Sequence, residues 1–114
     1  MTLETSMTAP TDALVVLVTT PTPERAAEIA RAVVEERLAA CGNVVPGLRS
    51  IYRWEGKLQD EGEALIVLKT TRARFEALKE RVLALHPYQV PEVIALPVQA
   101  GSAPYLAWIA GETR

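Results

Sequence analysis

The spacing of apolar positions changes several times along the chain, and each change marks an element. Residues Ala13–Thr20 (ALVVLVTT) form a continuous apolar and β-branched run ended by Pro21. That pattern predicts a strand buried on both faces. Thr22-Pro23-Glu24 then opens a helix: Thr22 can cap, Pro23 suits the first helical position, and Glu24 favours the positive end of the dipole. Through residue 40, Ala26, Ala30, Val33, Val34 and Leu38 share one helical face, with Glu24, Glu28, Arg31 and Glu35 opposite. Arg37 falls on the apolar side, either with its stem packed and its head in water or tied to a buried carboxylate. Cys41 closes this helix and Gly42 ends it.

Residues 44–55 read as extended, with Pro46-Gly47 marking a bulge or bend. From Leu48 the pattern alternates, placing Leu48, Ser50, Tyr52 and Trp54 on one face and Arg49, Ile51 and Arg53 on the other. Gly56-Lys57 is the expected two-residue turn. The return strand passes through the polar stretch 59–63 into Ala64-Leu-Ile-Val-Leu68 and ends near Thr70. Such a hairpin is long enough to project beyond a small core. Thr71 caps a second helix, with Phe75, Leu78, Val82 and Leu85 as its core stripe, ending at His86 because Pro87 follows. Residues 88–91 connect to a fourth strand over 93–98, with Pro97 at an edge or bulge. Ser102-Ala-Pro104 opens a short last helix stopped by Gly111.

The order β-α-β-β-α-β-α, less its final helix, is the split β-α-β plan of a ferredoxin-like α+β sandwich. Two helices cover only one face of a four-stranded sheet. Yet the runs 14–18 and 65–68 are apolar on both faces, so the other face would be an exposed apolar patch. The inference is an oligomer that covers its sheets, with Tyr52 and Trp54 anchoring the hairpin on a neighbour.

Composition narrows the class. At 114 residues, the chain is one domain by length, here read as 13–114 behind a disordered tail over 1–12. Hydrophobic residues at 49% exclude a disordered chain. The net charge of −2, with both signs interspersed, gives no basic face for nucleic acid. The tail lacks the features of a signal peptide, no apolar run is long enough to span a membrane, and cytoplasm is the default. A single cysteine, Cys41, excludes an internal disulfide and a four-cysteine zinc site.

Chemistry-bearing residues are few. His86 is the only histidine, and two prolines stiffen the segment that separates it from Glu92. It is a dipole partner or stop residue at a helix end, part of an incomplete metal site, or half of an acid/base pair. Cys41 is a small buried hydrophobe or a nucleophile. Tyr52 and Trp54 are hairpin packing, interface residues or a binding platform. Lys69 ends an apolar strand, where a charge reaches solvent. Phosphate-loop, dinucleotide, serine-hydrolase and zinc-protease motifs are absent from the sequence.

Arg37-Leu-Ala-Ala-Cys41, Ser50-Ile-Tyr-Arg-Trp54-Glu-Gly56, Lys69-Thr70, His86-Pro-Tyr88 with Pro91-Glu92, and Tyr105-Leu-Ala-Trp108-Ile, in this order, resemble the CutA family of divalent-cation tolerance proteins. The resemblance runs from about Ala13 to Ile109. It implies a ferredoxin-like subunit in a tight homotrimer whose hairpins wrap neighbours, a plan shared with PII signalling proteins. It also implies a non-enzymatic role in the response to divalent metal ions, with no obligatory cofactor and weak binding of copper or another divalent cation. His86, Glu92 and Cys41 are the candidate metal ligands among this chain's own residues, and the resemblance implies a ligand cleft between subunits, formed by Lys69, Tyr88, Tyr105 and Trp108 beside His86 and Glu92. Members proposed to bind copper use a first-strand cysteine and a histidine pair. Here Val18 and Leu85-His86 stand in those regions, so only His86 survives. The rival implied by the resemblance is a PII-like module binding an anionic ligand or a protein partner.

Overall fold

The computed structural model describes residues 11–114. In chain order the elements are β1 (Ala13–Thr20), α1 (Pro23–Glu35), β2 (Cys41–Trp54), β3 (Lys57–Thr71), α2 (Arg72–Leu85), β4 (Ile94–Pro97) and α3 (Ala103–Glu112). The strands make one antiparallel sheet in the order β2-β3-β1-β4, the expected ferredoxin-like α+β plan. Alternation along β1 divides its two faces. Leu14, Val16, Val18 and Thr20 are buried, whereas Val15, Leu17 and Thr19 are half-buried. The buried face of β1 joins Ala64, Ile66 and Leu68 of β3 beneath α1 (Ala26, Ile29, Ala30, Val33) and α2 (Leu78, Val82). Phe75 and Leu85 pack at the margin of this core.

The first helix is shorter than its apolar stripe suggested. Thr22 does cap it, its Oγ1 accepting from the Arg25 N–H at 3.1 Å. The helix ends at Glu35, and Arg37 takes the left-handed conformation, φ 60°. Leu38 follows outside the helix yet still packs on the core, which is why the 3.6-residue pattern ran on. Arg37 is exposed and reaches Glu112 at 3.7 Å, so no buried tie forms. Cys41 and Gly42 therefore open β2 rather than close a helix. At Gly42 a β-carbon would stand 2.9 Å from Leu68 Cδ2 and 3.0 Å from Ala30 Cβ, so glycine lets the strand approach α1.

The hairpin bends at the expected bulge, between Val45 and Leu48, where Gly47 has φ 80°. Its turn lies one residue earlier than expected. Trp54 pairs with Lys57, leaving Glu55 (φ 51°) and Gly56 (φ 76°) as the turn. Both central residues of this turn class need positive φ, and glycine fills the second of them. β2 and β3 run for 14 and 15 residues, and the molecule is 55 Å long but only 27 and 23 Å across, so the arm projects. The other boundaries shift slightly. Thr71 precedes α2 without a side-chain capping bond, β4 spans only Ile94–Pro97, and α3 runs through Gly111, with Thr113 Oγ1 bonding the Ile109 carbonyl at 2.9 Å.

The expected tail over 1–12 lies, for residues 1–10, outside the described residues. Thr11 and Asp12 belong to the fold: Thr11 Oγ1 donates to the Val98 carbonyl at 2.5 Å, and the Asp12 carbonyl accepts from Arg72 N–H at 2.9 Å. On the outer sheet face α3 covers one corner, where Ile109 and Leu106 pack with Ala13, Ala40 and Val98. Beyond that corner the strand register groups Val15, Leu17, Leu65 and Val67 with Ile94, Leu96 and Val45. The last three are 50%, 48% and 40% exposed.

Candidate functional site

His86 is the C-cap of α2 and is buried. Its Nε2 lies 2.7 Å from the Thr19 carbonyl oxygen, and its Nδ1 accepts the Tyr88 N–H at 3.1 Å. A carbonyl can only accept and a backbone N–H can only donate, so the ring is the neutral Nε2–H tautomer. Both nitrogens are thus engaged, and neither offers a free lone pair to a metal. The ring also lies 4.7 Å from the ring of Tyr88, tilted by 49°. His86 ties α2 and the connector after it to the end of β1.

Tyr88 carries the connection onward to the hairpin. Its hydroxyl donates to Glu63 Oε2 at 2.6 Å. Burial, then the Glu63 carboxylate, pushes the Tyr88 phenol well above the usual tyrosine range. Tyr52 donates to Glu61 of the same arm, and that hydrogen bond, with burial secondary, raises its phenol as well. The connector and the hairpin border an open cavity of about 680 Å³, whose lining includes Thr19, Tyr52, Trp54, Glu63, Tyr88 and Glu92.

A second group lies at the other end of the sheet. Cys41 Sγ is 3.8 Å from Tyr105 Oη, and this contact is the main cause of the raised Tyr105 phenol. Lys69, opposite Cys41 in the ladder, donates from Nζ to Asn43 Oδ1 at 2.5 Å. Trp108 stands beside Tyr105, with ring centroids 5.5 Å apart.

The register separates these groups. Lys69 pairs with Val15, whereas His86 bonds to Thr19, four residues further along β1. At about 3.3 Å per residue, that is roughly 13 Å of strand. His86, Glu92 and Cys41 therefore do not converge within one chain: His86 and Glu92 flank the cavity, and Cys41 is with Tyr105. Among the described residues, no three His, Cys, Asp or Glu side chains are placed to hold a metal ion. Val18, in the region of the implied first-strand ligand, is fully buried in the core. A soft-ligand copper site does not fit these residues within a chain. The cleft that the resemblance implies lies between subunits; within one chain, Lys69, Tyr105 and Trp108 stand at one end of the sheet and Tyr88 at the other. Tyr52 and Trp54 line the cavity and are 39% and 40% exposed.

Sequence reasoning missed Glu61, Glu63 and Thr19. The two glutamates had a readable signal. They share parity with the hairpin face of Ser50, Tyr52 and Trp54, since Leu48 pairs with Glu63 and Ser50 with Glu61. The part played by Thr19 had none, because its contribution is a backbone carbonyl.

The model of the family described as CutA1 divalent ion tolerance protein matches residues 14–112. The chain belongs to this family. It is 57% identical over 99 residues to the divalent-cation tolerance protein CutA of Thermus thermophilus, covering 87% of this chain and 96% of that one. It is 49% identical over 111 residues to the chloroplastic CutA of Arabidopsis thaliana, covering 97% of this chain but only 60% of that longer one. The solved CutA structure from Xylella fastidiosa superposes with a TM-score of 0.89 at 40% identity, covering 91% of this chain and all of that one (100%). The Cut A1 structure from T. thermophilus gives 0.87 at 55% identity, over 90% and 99% of the two chains. These two solved structures therefore share the fold of this chain over about nine-tenths of its length, with coverages of 90% and 91%. No helix among the described residues is long and apolar enough to cross a membrane.

Proposed function

We propose that this CutA1-family chain acts as a non-enzymatic homotrimer in the cellular response to divalent metal ions. The observation that carries the reading is the outer sheet face. Val15, Leu17, Leu65 and Val67 share it with the exposed Ile94, Leu96 and Val45, while α1 and α2 occupy only the opposite side. Water contact over apolar surface is unfavourable by about 25 cal/mol per Å², so a neighbouring copy is the natural cover. The projecting arm, bearing Tyr52 and Trp54, gives that neighbour a second contact. The number three and the link to metal tolerance come from the family, whose relatives carry that description.

No resident cofactor is needed. Weak copper binding belongs to the same reading, supported by the absence, among the described residues, of three converging ligands within a chain. Cytoplasm is the compartment assigned, although one relative is named as chloroplastic and one solved relative as periplasmic. PII-like anion binding through Lys69 has less support, since its ammonium is already held by Asn43.

Sedimentation at micromolar concentration tests the assembly, with an expected mass of about 37 kDa, three times the 12.4 kDa chain. A host lacking its own family member, grown in copper, tests the role. The wild-type chain should restore growth, and Val67→Glu, which places a charge on the covered face, should not. A folded species of 12.4 kDa, or equal rescue by both chains, refutes the reading.

A further inference from the structure

We draw no further inference here: the strongest candidate, the exposed apolar pair Ile51 and Leu58 beside the Arg49–Asp60 ion pair, on the face of the β2–β3 arm opposite Tyr52 and Trp54, carries nothing because nothing in the structure shows what covers it.

Discussion

Replacing His86 by alanine separates two roles for this residue, a metal ligand and a brace. The structure gives the ring two hydrogen bonds, Nε2–H to the Thr19 carbonyl at 2.7 Å and Tyr88 N–H to Nδ1 at 3.1 Å, and a contact with the Tyr88 ring at 4.7 Å. Each hydrogen bond contributes about 1 kcal/mol net, and the loss is larger where the abandoned partner stays buried. An aromatic contact adds about 0.5–1.5 kcal/mol. Thr19 and Tyr88 both line the open cavity, so water can reach the groups that are freed. The lower end of the unsatisfied-group range therefore applies, and the sum is about 2–4 kcal/mol per chain. Urea denaturation followed by circular dichroism measures it. Wild type and variant must be compared at one protein concentration, because the stability of an assembly depends on concentration. His86→Gln, whose amide can still donate towards Thr19, should recover part of the loss. Copper affinity, measured alongside, should stay weak and nearly unchanged. A stability change below about 0.5 kcal/mol together with complete loss of copper binding would mean that the ring is a ligand and that the hydrogen bonds assigned to it are not structural.

Three further outcomes follow from the same geometry. Gly42→Ala should destabilise by about 1–3 kcal/mol, because the new methyl group meets Leu68 Cδ2 at 2.9 Å and Ala30 Cβ at 3.0 Å; an unchanged urea midpoint would mean that β2 can move off α1. Val67→Glu should dissociate the assembly, whereas Val16→Glu should unfold the chain, since Val16 is fully buried beneath the helices and Val67 faces outward; sedimentation with circular dichroism distinguishes them. At alkaline pH the unfolded chain releases the Tyr88 proton near about pH 10, whereas the fold retains it to higher pH. The stabilisation from Tyr88 is thus complete below that pH and fades as pH rises through the folded value. Tyr88→Phe should flatten this alkaline limb, and an identical limb in the variant would deny the Tyr88–Glu63 bond its part.

The sites divide by how local their determinants are. His86 as a helix stop was legible, because Pro87 removes a donor and disfavours helical backbone in the residue before it. Its Thr19 partner was not, since that bond joins residues 67 apart in the chain. The metal set His86, Glu92 and Cys41 rests on residue type, and sheet register, which residue type does not reveal, sets Cys41 apart from the other two within one chain. Cys41 was misplaced for a related reason. A helical stripe that includes Leu38 looks continuous, and only the positive φ of Arg37 shows that Leu38 reaches the core from a turn.

By itself the sequence determined the order of elements, the Thr22 cap, the bulge at Pro46-Gly47, the projecting arm and the excess of apolar surface over what two helices can cover. These follow from period, proline, glycine and β-branching, which act within a few residues. Tertiary structure alone decided which alternate positions of β1 and β3 face the helices. Both sets are apolar, so period-two alternation cannot choose between Val16 with Ile66 and Leu17 with Val67, and only docking of α1 and α2 breaks the tie. It also decided that Cys41 and His86 lie apart, that Thr11 and Asp12 are docked, and that two tyrosines and two glutamates meet beside one cavity. Each of these depends on strand register or on a contact between distant segments, and packing of the whole chain sets both.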